Sequence, residues 1–525
     1  MGKLRIGWAS RDVSTTAPIN IPGQFHMRIS RGVLDPVMVT ALVVDGGEDM
    51  AIFLSLDAVV IRAHLLDEVR ENLRRKDPGI PVEKILMNAT HTHTGPSHYD
   101  DDPEIPHDGM EVASSAEYRH WLAGQAADAV EEAYASRSEG GVAYGYGYAV
   151  VSHSRRVVYF DDLSRRPGAV QNSTHAVNGH AAMYGNTCDA QFSHYEAGAD
   201  HFVNLMFTFD AQDRLTGAIV NIPCPSQNSE QEHMLSADYW HDIRVALRRT
   251  YGDIFVLPQC AAAGDLSPRI LHYKEAQARR YRLKYGDFET PAENKTERIN
   301  RVEIAERVKL CFDEVYAWAR KEIYHELPVR HIVRTIGLSR RIITDEEYRG
   351  ALEGLRELEG ESYIRENTAA ARTQKTDDPL VQERDVEGFD PEAALRSNSI
   401  LKASRNRYRE IVERYELQKT EPKVPMELHV IRIGDIAFAS NRFELYMDYE
   451  HRIQARSPFM QTFIVQLAGQ PGVKGGTYLC TERGAWGKGY SASMFCNVVS
   501  PKGGQEIVEE TLKDLNRLYK EEQHD

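Results

Sequence analysis

Several things are scarce in this chain. No run approaches the ~18 uninterrupted apolar residues of a membrane-crossing helix, and the start, Met1-Gly2-Lys3-Leu4-Arg5, has no apolar stretch or cleavage pattern of a secretory leader. Neither a membrane span nor export is expected, and the cytoplasm is the default location. Cysteines are six in 525 residues, at 188, 224, 260, 311, 480 and 496, with no CxxC pair. Such spacing reads as reduced thiols, not a disulfide framework. Positive charge is in deficit, with 63 Lys and Arg against 78 Asp and Glu, a formal −15. Phosphate backbones need a basic surface, so nucleic acid is not an expected partner. No internal repeat is apparent.

What is present is ordinary globular text, 42% apolar and 27% charged, too long for one simple core. The pattern predicts a mixed α/β (α+β) fold. Two β-rich runs, 37–45 and 50–57, flank Asp45-Gly46-Gly47-Glu48-Asp49, a hairpin signal. A helical period over 61–76 and the apolar Ile85-Leu86-Met87 complete a strand–helix–strand unit. Further helices are predicted at 113–136 and 238–251, strand and turn over 140–148, a hairpin at 202–222 and a buried strand at 254–257. From about 275 to 420 charged helical text dominates, and 345–420 reads as a helical insertion or lid-like subdomain, with a loop at 368–391. Residues 1–344 and 421–525 form the remaining domain, with strands at 427–433 and 436–439 and a closing helix at 504–519.

Chemistry-bearing residues cluster in a few places. His91 and His93 stand two apart at a predicted strand end, in Asn88-Ala89-Thr90-His91-Thr92-His93-Thr94-Gly95-Pro96. Period-two geometry puts both rings on one face, where neutral imidazoles suit zinc. A polar loop start is the plain alternative. Gly264-Asp265-Leu266-Ser267-Pro268 offers Ser267 as nucleophile or hydrogen-bonding group and Asp265 to orient it, or else an ordinary capped turn. Glu444 follows an apolar strand, and Tyr478 lies after a glycine-rich turn. Asn221-Ile222-Pro223-Cys224-Pro225-Ser226-Gln227-Asn228, followed by Glu230, His233, Asp238 and His241, reads as a site wall. Arg155 and Arg156, beside His153, could clamp an anionic or carbonyl oxygen or form an exposed basic turn.

In this order the segments resemble the catalytic region of the neutral ceramidase family. Thr90 to Pro96 matches its THTHSGP-like segment, Ser154-Arg155-Arg156 its NR segment, and Gly264 to Pro268 its GDVSP-like segment. Arg442-Phe443-Glu444 and Thr477-Tyr478-Leu479-Cys480-Thr481-Glu482 match its late glutamate and tyrosine segments. The resemblance implies a ceramidase-like fold and one zinc ion held by His91, Glu444, Tyr478 and a second histidine. It also implies His93 and Arg155 beside the substrate oxygen and Ser267 in the pocket. The second histidine is missing, since that segment reads Asn221-Ile222-Pro223-Cys224-Pro225. His241 is the first replacement, then Cys224 and His233. Cys224, Gln227 and Arg156 are otherwise expected to touch substrate. No C-terminal immunoglobulin-like domain is expected.

The resulting expectation is a zinc-dependent hydrolase using a metal-activated water on an amide-type bond of a small, soluble, non-ceramide substrate. A carbohydrate-active enzyme, with Trp240, Trp486 and Tyr490 as stacking residues, is the alternative. A non-catalytic metal- or ligand-binding protein is the third.

Overall fold

The computed structural model describes residues 2–169, 178–286, 288, 295–366, 389–470 and 477–521. Its largest sheet has eight strands, in the spatial order Phe255–Cys260, Leu215–Ile222, Phe202–Asp210, Ser138–Tyr148, Arg5–Asp12, Met38–Asp45, Met50–Leu56, Ile85–Ala89. The hairpin at 45–50 forms as its turn residues dictate, pairing Asp45 with Met50 and Val39 with Leu56. Helix Ala63–Lys76 then carries the chain over to Ile85–Ala89, parallel to Met50–Leu56. The 202–222 hairpin also forms, and its second strand is paired in parallel by Phe255–Cys260.

Strand periodicity explains how the layers assemble. Along Met38–Asp45, Ala41 and Val43 pack with Leu65, Leu66 and Val69 of helix Ala63–Lys76 and Leu122 and Ala126 of helix Ser115–Ala135. Leu42 and Val44 point the other way, into a core shared with Ile431, Phe438 and Phe463. Those belong to a four-stranded sheet, ordered Val329–Ser339, Lys423–Ile433, Ile436–Ser440, Gln461–Val465. Phe53 and Phe438 meet across the two sheets at 4.9 Å. The second sheet's outer face packs on helix Pro501–Glu521 through Leu338, Met426, Ile507 and Leu515. The order is helices, sheet, sheet, helix. Ile85–Ala89, buried at all five positions, therefore opens on the apolar run Ile85-Leu86-Met87, and its one polar side chain, Asn88, donates to the Pro258 carbonyl at 3.2 Å.

One strand departs from the sequence reading. Val329–Ser339 lies where charged helical text was expected, paired along its length with Lys423–Ile433. Its charges are met by tertiary partners, Arg334 by Glu510 and Asp514 of the covering helix. Between the ends of this pair, Ser339 and Lys423, the chain leaves to form helices Asp345–Glu359 and Pro391–Leu417. A Thr344/Glu347 capping box starts the first, and Asp390 with Pro391 starts the second. They share a small core of Ile343, Ala351, Tyr408 and Ile411. Most of the loop expected at 368–391 lies outside the described residues. Among those described, no helix is long and apolar enough to cross a membrane.

Glu450, in helix Met447–Gln454, ties the second sheet's loops to the first sheet's. Its carboxyl accepts from Ala262 N at 2.6 Å and Gln454 Nε2 at 2.9 Å. Burial, then Asp200 nearby, pushes its pKa up to about 8. The unfolded chain releases that proton near 4.5. Glu450's contribution to stability is thus intact below about 4.5 and is lost as pH rises toward about 8. Glu450→Gln is expected to raise stability by on the order of 3 kcal/mol at alkaline pH and by almost nothing in acid. Urea midpoints at the two ends of that window check this, and an equal change at both would refute it.

Candidate active site

The loops that follow the carboxyl ends of Ile85–Ala89, Leu215–Ile222, Phe255–Cys260 and Ile436–Ser440 converge on one point. His91 is not in extended strand, as the period-two reading had it. The strand stops at Ala89 and His91 takes a left-handed φ of 66°, rare for a residue with a side chain. Its ring still meets that of His93, with Nε2 to Nε2 at 3.4 Å. Glu444 and Tyr478 are brought side by side by a short parallel pairing of Glu444–Leu445 with Tyr478–Leu479.

Hydrogen bookkeeping defines the cluster. His91 Nδ1 lies 2.7 Å from the Val59 carbonyl, which can only accept, so Nδ1 carries the hydrogen. In the neutral ring Nε2 is then a bare lone pair, 3.3 Å from Glu444 Oε2. His93 Nδ1 lies 3.5 Å from Glu230 Oε2. Burial, then His91 and the arginines 28, 155 and 269, hold His93 far below its usual range, so it is neutral. The chain Glu230–His93–His91–Glu444 thus has three contacts and one hydrogen to serve them. Glu444 Oε2 and His93 Nδ1, both buried, have no hydrogen-bond partner. Burial pushes the Glu444 carboxyl up, but His91 and Arg155 outweigh it and keep the group ionised.

A cation would resolve this deficit. The 3.3 Å between His91 Nε2 and Glu444 Oε2 matches the spacing of two ligands about 2.0 Å from one zinc ion. Among the described residues no group of three or more His, Cys, Asp and Glu side chains is placed to hold a metal ion. The Tyr478 phenol, set beside Glu444 by the strand pairing, is the side chain that could join His91 and Glu444 as a third donor; burial and Glu444 hold its proton in place in this structure. Three protein donors with one position open is the pattern of catalytic zinc, and the Val59 carbonyl is the outer partner such a histidine needs.

Arg155 spans the cluster. It donates to the Gly264 carbonyl at 2.9 Å and to Tyr478 Oη at 3.3 Å, and lies 3.6 Å from Glu444. Its other nitrogen reaches Gln227 Oε1 and Tyr184 Oη, each at 3.3 Å. Ser267 is fully buried, accepting from Arg269 N at 3.2 Å and Tyr184 Oη at 3.4 Å. Asp265 faces away from it and accepts from Met447 N at 3.0 Å, its pKa pushed up by burial to about 6. It fixes the 264–268 loop to the loop bearing Glu444.

The expected replacements for the missing histidine do not join. Cys224 is a buried thiol donating to the Val151 carbonyl at 3.3 Å, and burial drives its pKa well up. His233 meets the Ile29 carbonyl. His241, in the first turn of helix Tyr239–Tyr251, shares no hydrogen bond or ion pair with His91, Glu444 or Tyr478 among the described residues. Arg156 is fully enclosed and turns away from the site. It binds Glu196 at 2.7 and 2.9 Å and the Lys488 carbonyl at 2.6 Å.

The structure adds residues that no sequence motif carried. Tyr184 bridges Gln227 and Arg155. Arg269 binds Glu230 and the carbonyls of Gln227 and Asn228. Arg407, from the helical insertion, lies over the rings of Phe25 and Tyr490, and Tyr490 stands edge-on to Tyr478 at 5.7 Å. Arg269 follows the Gly264–Pro268 segment directly and Glu230 sits in the polar 221–241 wall, but neither spacing says that they pair.

No family model and no curated protein sequence matches the chain. Solved structures do. The neutral ceramidase from Pseudomonas aeruginosa aligns with a TM-score of 0.61 and 16% identity, over 98% of this chain and 75% of that one. A ceramidase complexed with C2 aligns at 0.60 and 15%, over 99% and 76%. The fold is similar to that of these ceramidases.

Proposed function

We propose that this protein is a zinc-dependent hydrolase acting on an amide-type bond of a small, water-soluble substrate other than ceramide. The observation that carries it is the hydrogen deficit along Glu230–His93–His91–Glu444, which leaves two buried atoms, His93 Nδ1 and Glu444 Oε2, without partners where the loops converge. His91, Glu444 and Tyr478 would hold the ion. When bound, zinc supplies Lewis acidity and, through it, hydroxide at neutral pH. The remaining work falls to side chains. Arg155, fixed by Gly264 and Gln227, is aimed at the developing oxyanion beside Tyr478. Neutral His93, backed by Glu230, takes up and returns the proton that must reach the leaving nitrogen. Ser267 positions the 267–269 turn and is not the nucleophile. The polar wall of Arg269, Gln227 and Glu230 suits a hydrated substrate better than a lipid chain.

Protein purified without chelator is expected to hold about one zinc per chain. It should hydrolyse soluble N-acyl amides, lose that activity on chelation and regain it with zinc. Full activity in metal-free protein would sink the metal reading. Turnover of aryl glycosides but not of amides would replace the bond type, with the buried carboxylates Glu230 and Glu444 as the groups to test.

A further inference from the structure

A cavity of about 670 Å³ lies beside the centre and is lined by none of its residues. His153 and Ser154 form part of its wall, on the strand that pairs with Leu266–Ser267. The next residue, Arg155, belongs to the active site. The two spaces therefore share one ribbon of backbone.

The lining chemistry narrows the ligand. Its charged groups are already engaged, Glu196 by Arg156 and Arg483 by Asp448. What remains is hydroxyl, imidazole and apolar surface. Ser154 is 8% exposed and its hydroxyl has no partner, and neither does Nδ1 of His201. His272 meets the Tyr195 hydroxyl through Nδ1 at 2.7 Å, leaving Nε2 outside that bond. Burial, then His201, holds His153 down to about 4, so this imidazole is uncharged at neutral pH. Val158, Ile270 and Leu271 give an apolar floor. At the rim Trp486 is 65% exposed, its plane fixed by stacking on His180 at 4.7 Å and 8°.

Among the described residues an anion finds no unpaired Lys or Arg on this wall, and the wall's His and Glu side chains form no group of three or more placed to hold a metal ion. A purely apolar ligand would leave the buried Ser154 hydroxyl and His201 Nδ1 unmet, which is costly. A neutral ring carrying several hydroxyls answers every feature, with hydroxyls to Ser154 and the imidazoles and its C–H face against the indole. The volume is within the range of small-molecule pockets. We propose that this cavity binds a neutral pyranose unit, as a site separate from the hydrolytic centre. The inference does not depend on the bond the centre cleaves.

Calorimetric titration of the full chain with methyl glycosides of glucose, galactose and N-acetylglucosamine tests it, with glucuronate and glucosamine as charged controls. At least one neutral glycoside should bind saturably. Trp486→Ala should weaken that binding about tenfold or more while amide hydrolysis stays where it was, and Ser154→Ala should weaken it severalfold. Stripping metal from the protein should leave it unchanged. The proposal is overturned if no neutral glycoside saturates by on the order of 50 mM. It is equally overturned if Trp486→Ala binds as the parent does, or if glucuronate binds more tightly than every neutral glycoside.

Discussion

Glu444→Gln is expected to lower kcat/KM by about 10³-fold or more, roughly 4 kcal/mol of transition-state stabilisation, while leaving the metal-free fold at least as stable as the parent. The two effects come from the same atoms. In the parent, Glu444 Oε2 lies 3.3 Å from His91 Nε2, and with the ring's one hydrogen on Nδ1 toward Val59 a neutral His91 places none between them. A glutamine of the same shape can place an N–H there. It would satisfy the cluster without a cation, so the metal-free protein should gain on the order of 1–2 kcal/mol. The same N–H cannot ligate zinc, so metal content should fall well below one per chain. Metal analysis, kinetics and chemical denaturation of metal-free parent and variant check the three signs together. A variant that keeps both zinc and activity would remove Glu444 from the centre. A variant destabilised in the metal-free state would show that His91 is protonated there, and that the deficit is met by a proton instead of a metal.

How much of this could be read beforehand depended on whether a signal was local. The hairpin at 45–50 and the crossover to Ile85–Ala89 are set by turn chemistry and periodicity within a few residues, and both appear where the sequence puts them. Val329–Ser339 was hidden because its Arg330, His331 and Arg334 look like helix-surface text. They are strand residues whose charge is answered by Glu48 and, across the layer, by Glu510 and Asp514. The same division runs through the site. His91, His93, Glu444, Tyr478, Arg155 and Gln227 come together, each carried by a motif or a marked loop. Tyr184 and Arg407 arrive from segments with no such mark, placed only by how separate layers meet. His241 failed for a comparable reason. Its helix is capped by Asp238 and seated by Trp240 and Ile243 in another core, so packing, not the need for a ligand, decides where that imidazole sits.

The adjacent pair Arg155 and Arg156 shows the same limit most sharply: Arg155, between strands His153–Ser154 and Arg156–Tyr159, sends its buried guanidinium into the site, while that of Arg156 turns to Glu196. Arg156→Ala is expected to destabilise the protein by about 3–5 kcal/mol, the usual loss when one partner of a buried ion pair is removed. The side chain is fully enclosed. It binds Glu196 through two nitrogens and also holds the Lys488 carbonyl and Ser491. Truncation leaves Glu196 charged, buried and unanswered, next to the loop that follows Tyr478. The double variant Arg156→Met with Glu196→Leu should recover most of the loss, since it removes both charges and refills the space. Urea midpoints of the parent, the two single variants and the double variant close the cycle. If Arg156 touched substrate instead, Arg156→Ala would keep the parent's midpoint and raise KM alone. The buried geometry requires the opposite order, with stability falling first and activity following only as the folded fraction declines.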